Sequence, residues 1–276
     1  VCPVGPLEQP PFIAPLIRFW NTAAPFADPL AMRILGVDAD SIARKVEQHT
    51  SGRRMRIFIA ARTRFAEDAL AAAVERGVRR LVVLGAGLDT YAYRGLLRNR
   101  LRIFEVDHSA TQAWKRKRLA EASIPLPPAL TFAPIDFEHQ ALAAGLAAVG
   151  FDSRQPAFFT WLGLVPYLTE EAIWSTFGFI ASLPNGAHLV FDYANPTASL
   201  SPDDRSGHDR RAAHVAELGE PWVNYFETDP LYVKLTGLGF IEIEDLGPSQ
   251  IAARYCQHRV DSAPETGGHI LRAATI

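Results

Sequence analysis

The residues of this 276-residue chain with the plainest chemistry are two glycines and two aspartates that follow short apolar runs. Gly85 and Gly87 lie in Leu84-Gly85-Ala86-Gly87-Leu88-Asp89-Thr90, and Asp107 comes twenty residues after Gly87. Glycine lets a backbone approach a ligand closely, with amides free to donate. A carboxylate at that distance, at the end of the next strand, accepts both hydroxyls of a ribose. Asp136, at a third such end, is placed to accept from an adenine amino group. Upstream, Arg62 and Arg64 offer planar guanidinium groups that grip a carboxylate bidentately.

The loop also says what the ligand lacks. A dinucleotide site uses G-x-G-x-x-G, whose third glycine brings a helix N-terminus onto a pyrophosphate. Here that place holds Thr90, and Asp89 adds an anion where a pyrophosphate needs none. A ligand with ribose and adenine but no phosphate fits better, and S-adenosylmethionine has that shape. Its aminoacyl carboxylate is the group Arg62 or Arg64 would hold.

The elements that position these residues follow from hydrophobic spacing. Up to about residue 76 apolar residues recur at helical intervals, Ile57, Ala61, Phe65 and Leu70 forming one stripe. Strands are expected over 81–84, 101–106, 130–135, 157–162 and 187–193. Helices are expected between them over 109–122, 139–149 and 169–183, the last capped by Thr169. A helix over 229–238 precedes two late strands, 240–246 and 268–275, with no obvious crossover helix between them and antiparallel pairing at one edge. Strands alternating with helices imply right-handed crossovers and a parallel sheet. The expected fold is α/β, a doubly wound, mostly parallel seven-stranded sheet. A helical N-terminal cover takes up 1–76 and the core 77–276, with a cap inserted near 197–226, all as one domain.

Composition narrows the function classes. The chain is 48% hydrophobic and 21% charged, a globular balance, and its net charge of −2 offers no basic excess for a nucleic-acid partner. The basic runs Arg53-Arg54 and Lys115-Arg116-Lys117-Arg118 read as solvated helix faces. Two cysteines, Cys2 and Cys256, make neither a disulfide framework nor a metal set, so free thiols in a reducing, cytoplasmic setting are expected. The Pro-rich start shows no signal-peptide pattern. The longest stretch without Asp, Glu, Lys or Arg, 172–191, is broken by Pro184-Asn185-Gly186 and does not read as a membrane span.

Taken together, several motifs resemble the leucine carboxyl methyltransferase family. They are Arg62-Thr63-Arg64-Phe65, the 84–90 loop with Tyr93-Arg94, Phe104-Glu105-Val106-Asp107-His108 and Asp136-Phe137. Gln112-Ala113-Trp114-Lys115, Trp161-Leu162-Gly163 and Pro166-Tyr167-Leu168-Thr169 are similar to its bacterial branch. The resemblance runs from about Asp28 to Tyr255 and implies a class I, Rossmann-like fold and S-adenosylmethionine as cofactor. It implies that Arg62 holds the cofactor carboxylate and that Gly85, Ala86 and Gly87 line the aminoacyl group. By the same resemblance Asp107, with His108 beside it, takes the ribose hydroxyls, and Asp136 with Phe137 takes the adenine. Eukaryotic members carry Glu where this chain has Leu162, a departure that removes one cofactor contact and weighs against a protein-phosphatase substrate. The implied activity is in-line methyl transfer to a carboxyl or hydroxyl oxygen of a small molecule. A nicotinamide-dependent oxidoreductase and a non-catalytic binder of the same cofactor stay open as alternatives. No catalytic residue is singled out: His208 and His214 in the cap read as surface residues and Tyr167 as a packed core ring.

Overall fold

The protein is described by a computed structural model covering residues 26, 28–36, 53–217, 219, 221–255 and 267–276. Cys2, Cys256 and the side chains of Arg53 and Arg54 lie outside the described residues. The chain forms α1 (Ala31–Leu35), α2 (Arg53–Glu75), β1 (Arg80–Leu84), α3 (Tyr91–Arg94), β2 (Arg102–Asp107), α4 (Ser109–Glu121), β3 (Leu130–Pro134), α5 (Leu142–Ala148) and β4 (Ala157–Trp161). A 3-10 turn, Val165–Tyr167, leads to α6 (Glu170–Ala181) and β5 (Ala187–Ala194). A second 3-10 turn, Thr197–Ser199, leads to α7 (Pro202–Glu217), α8 (Thr228–Leu238), β6 (Glu242–Leu246), α9 (Pro248–Tyr255) and β7 (Gly268–Ala274).

The seven strands form one sheet in the order β3-β2-β1-β4-β5-β7-β6. The first five are parallel, with Leu84 level with Val106 on one side and Trp161 on the other. β7 runs antiparallel between β5 and β6. The late strands thus pair antiparallel as expected, but α9 lies between them in the chain. Chain order reverses between β1 and β4, where open α/β sheets place their ligands.

All five residues of β1 are buried, as a strand covered on both faces requires. Alternation sorts the core into two layers. Val82, Leu84, Phe104, Val106, Phe159, Trp161 and Phe191 pack on one face with Leu142 of α5, Ile173 and Phe177 of α6 and Leu231 of α8. Leu81, Val83, Ile103, Phe158 and Val190 face Ala61, Phe65, Leu70 and Val74 of α2 and Ile251 of α9. Burying a side chain such as Phe65 or Leu70 is worth about 1.5–3 kcal/mol, so this stripe is what fixes α2, and Arg62 with it, against the sheet. Thr169 caps α6, its hydroxyl accepting from the Ala172 amide at 3.3 Å, with Glu170 and Glu171 in the first turn.

One member of a basic run departs from the solvated face, while Arg116 and Lys117 are exposed as expected. Lys115 is buried and its ammonium lies 2.7 Å from the Glu105 carboxylate, also buried, on the face opposite Phe104 and Val106. One residue turn away, the Gln112 amide donates to the carbonyls of Glu105 (2.9 Å) and Ala133 (3.0 Å), tying α4 to both β2 and β3. Burial pushes the Glu105 carboxyl up to about 7 even with Lys115 alongside.

Candidate functional site

β1 ends in a tight turn in which Gly85 has φ +63° and Gly87 φ +40°, left-handed values that favour glycine. The two glycines do different work. A Cβ on Gly85 would come within 2.6 Å of Leu164 Cδ2, so Gly85 permits close packing against the loop after β4. A Cβ on Gly87 would meet nothing nearer than the Gly85 carbonyl at 3.9 Å, so Gly87 faces open space. Ala86 is buried and its amide donates to the Val106 carbonyl at 3.0 Å, which extends the β1–β2 pairing into the loop.

Asp107 closes the turn from β2. One carboxylate oxygen accepts from the Gly87 amide at 2.6 Å and the other from the His108 amide at 2.7 Å. A carboxylate has about four lone-pair sites; the two amides take two and the Thr111 side chain draws on a third, so a vicinal diol would bind by displacing Thr111 or sharing its oxygen. Burial pushes the Asp107 carboxyl up, against the pull of the Gly87 and His108 amides. The His108 ring serves α4, its Nδ1 accepting from the Ala110 amide at 3.3 Å.

Pairing continues past β3, with the Ile135 amide donating to the Asp107 carbonyl at 3.0 Å. That places Asp136 and Phe137 at the strand end beside Asp107. Desolvation works to raise the Asp136 carboxyl, but His139 at 2.9 Å and the Glu138 amide hold it below the usual range. The Phe137 ring stacks on Trp161 with centroids 6.1 Å apart and planes at 24°.

Across the reversal point, Arg62 and Arg64 part company. Arg64 is half exposed and paired with Asp68 one helical turn on, at 2.9 Å. Arg62 is buried, its Nη1 2.7 Å from Asp192 of β5, whose second oxygen accepts from the Gly163 amide at 2.6 Å. Gly163, φ +77°, has no Cβ to strike Arg62 Nη2, which would stand 2.8 Å away. Arg62 Nε is buried without a hydrogen-bond partner among the described residues. Leu162 is half-buried and packs on the α2 side of the sheet.

Thr90 and Asp89 are both engaged within the protein, and their contacts work against a pyrophosphate here. Thr90 is buried, its hydroxyl donating to Asp28 and accepting from Arg94 Nε at 2.8 Å, while Arg94 also reaches Glu67 at 2.7 Å. Asp89 accepts from the Tyr91 amide at 2.7 Å, so the first amide of the four-residue α3 is already taken. A helix start capped by a carboxylate repels a phosphate.

The segment after β5, where a cap is expected, is tied back to the loop after β4 and to the end of β5. The amides of Val223 and Asn224 donate to the Pro166 carbonyl (2.7 and 3.1 Å), and the Phe226 amide to the Ala194 carbonyl (3.0 Å). His214 is exposed, as expected of a surface residue, and Tyr167 is half-buried. His208 is buried instead, among the rings of Trp222 and Tyr225.

Two features had no counterpart in the expected site. Asp192 is one, a carboxylate inside an otherwise apolar strand. The other is a polar knot at the ends of β5, β6 and β7. There Asp245 accepts from the hydroxyls of Tyr193 (2.6 Å) and Tyr232 (3.0 Å) and lies 3.0 Å from His269 Nδ1. Cavities of about 210 and 310 Å³ flank this knot, and no residue of the glycine loop lines either. The knot joins strand ends to the start of α8 through Asn195 and Thr228, so we read it as a structural clamp. Among the described residues no cluster of His, Cys, Asp and Glu could hold a metal ion, and no helix is long and apolar enough to cross a membrane.

The sequence profile of leucine carboxyl methyltransferases matches residues 12–181, more than half of the chain. The chain belongs to the leucine carboxyl methyltransferase family. The matched part ends with α6, so the profile covers the glycine loop, Asp107, Asp136 and Arg62 but not β5 or the cap. YktD of Bacillus subtilis (strain 168), provisionally named an S-adenosyl-L-methionine-dependent methyltransferase, is 33% identical over 204 residues, covering 73% of this chain and 67% of YktD. A similarly named protein of Mycolicibacterium paratuberculosis (strain ATCC BAA-968 / K-10) is 34% identical over 157 residues, 53% of this chain and 50% of that protein. The matched segments thus span half to two thirds of these relatives. Among solved structures, a methyltransferase-like protein from Thermobifida fusca YX shares the fold with a TM-score of 0.59 at 15% identity, over 95% of this chain and 93% of that one. A duf574 family protein from Streptomyces avermitilis does so with a TM-score of 0.58 at 14% identity, over 94% and 95%. The fold is that of class I methyltransferases, and the family's chemistry is methyl transfer from S-adenosylmethionine.

Proposed function

We propose that this family member transfers a methyl group from S-adenosylmethionine to an oxygen of a small molecule. The observation that carries the donor site is the Gly87–Asp107 hydrogen bond beside an open glycine face. In this reading Asp107 takes the ribose hydroxyls, and the backbone of Gly85, Ala86 and Gly87 lines the aminoacyl chain. Arg62, held by Asp192, turns its unpartnered Nε to the aminoacyl carboxylate. Asp136 accepts from the adenine amino group, with Phe137 and His108 beside it. Leu162 adds an apolar wall.

When bound, the donor supplies a methyl on a sulfonium whose departing thioether is neutral, so the leaving group needs no acid. The protein's task is alignment. The strand ends fix the donor, and the cap, anchored on Pro166 and Ala194, covers the β4–β5 ends where an acceptor would lie. A carboxylate acceptor is ionised near pH 7 and needs no base. A hydroxyl acceptor gains from one. Incubating the protein with methyl-labelled donor and a fractionated small-molecule extract tests the reading. Label in an ester or ether is the expected result, whereas label found only on nitrogen, carbon or sulfur contradicts it.

A further inference from the structure

We propose that His208 is the general base for a phenolic hydroxyl acceptor seated under the cap. This rests on the oxygen-methylation reading above and narrows it. His208 lies on α7 and its side chain is 9% exposed. Its Nδ1 lies 3.3 Å from the Asp209 carboxylate; we assign the ring proton to Nδ1, as the donor in that contact, and the lone pair to Nε2. Nε2 is buried and has no hydrogen-bond partner among the described residues. Native proteins satisfy nearly all buried polar atoms, so a bare acceptor nitrogen is a place for a donor that arrives with a ligand. A hydroxyl is such a donor and an ionised carboxylate is not.

The surroundings favour an aromatic one. The imidazole is flanked by Trp222, with centroids 5.3 Å apart and planes at 52°, and by Tyr225 at 5.4 Å and 54°. Both rings are half-buried, and the same segment is pinned over the β4 end by the amides of Val223 and Asn224 on the Pro166 carbonyl. Burial, and less strongly Asp209, raises the Tyr225 phenol above its ordinary value. In the step, the acceptor O–H breaks and its proton passes to His208 Nε2. The oxygen pair forms the bond to the methyl carbon, and the carbon–sulfur pair stays with sulfur. The imidazolium, stabilised by Asp209, then releases its proton to water. Nucleophile, base and orienting carboxylate share the logic of a catalytic triad.

Two readouts on the full chain test this. Long-range nitrogen NMR of labelled histidine, assigned with His208→Gln, should show Nδ1 protonated and Nε2 bare. It should also show Nε2 shifting when 4-cresol is added to the chain loaded with adenosylhomocysteine. A protonated Nε2, or no shift with 4-cresol, overturns the proposal. In turnover with labelled donor, His208→Gln should lower kcat on 4-cresol by roughly 10²-fold or more with adenosylhomocysteine affinity unchanged. On 4-nitrophenol, already ionised near neutral pH, the loss should shrink to about threefold or less, because no base is needed. Asp209 is largely exposed, so Asp209→Ala keeps the fold and should lower the 4-cresol rate by about tenfold. Equal losses on the two phenols, or methylation of benzoate alone, overturn the role of His208 but leave oxygen methylation standing. Methylation of amines or thiols alone overturns the oxygen reading itself.

Discussion

The Asp107 carboxylate holds the Gly87 amide at 2.6 Å, so the end of β2 sets the shape of the loop leaving β1. The residue proposed to bind the ribose is therefore also the one that keeps the aminoacyl cradle open. Donor binding and loop geometry share a single side chain.

The two glycines should separate in their response to alanine. At Gly85 the new Cβ meets Leu164 at 2.6 Å, and φ is +63°. Gly85→Ala should lower thermal stability visibly. At Gly87 the Cβ has room, and the left-handed backbone costs about 1–2 kcal/mol. Gly87→Ala should fold, yet bind adenosylhomocysteine several-fold more weakly. Thermal melts paired with binding titrations check both, and equal behaviour of the two variants would contradict the assignment.

Arg62 and Asp192 form a buried pair across α2 and β5. Removing one partner strands the other charge, a cost of about 3–5 kcal/mol. Arg62→Met should therefore be strongly destabilised in urea melts, while Arg62→Met with Asp192→Leu should recover most of that loss. The double variant should still fail to hold the donor's aminoacyl end, so its preference for adenosylhomocysteine over adenosine should be smaller than that of the wild type. Recovery of full affinity in the double variant would remove Arg62 from the site.

Glu105 gives a pH signature. Its folded value of about 7 exceeds the 4.5 of an ordinary glutamate, so the folded state binds a proton the unfolded state has lost across that interval. This contribution to stability is present below pH 4.5 and is lost as pH rises through about 7. Glu105→Gln with Lys115→Met should remove that share of the slope. Melts at pH 5 and pH 8 should therefore differ more in the wild type than in the variant, and an equal difference would show that the pair is not the source.

Much of this was legible in the sequence because apolar runs and their breakers are local signals. The run 81–84 ending at Gly85 and Gly87, the Thr169 cap and the carboxylates at strand ends all reappear in place. What escaped depends on partners distant in the chain. Lys115 sits in a basic run, and only contact with Glu105 buries it. Asp192 is intelligible once Arg62 is seen beside it, although a charge in an apolar strand was itself a sign of a buried partner. His208 lies on a polar helix, and the rings that bury it come from a later loop. The short α9, opening with Pro248 after Gly247, gives no obvious crossover helix in the sequence, and it is the contact of Ile251 with α2 that holds it.

Calorimetric titration of adenosylhomocysteine into the wild type and into Asp107→Ala tests the central claim most directly. Each charge-assisted hydrogen bond is worth about 1.5–3 kcal/mol. The account predicts saturable binding to the wild type, about tenfold or weaker binding to the variant, and no heat from a nicotinamide dinucleotide with either. Equal affinity of the two proteins for adenosylhomocysteine would contradict it.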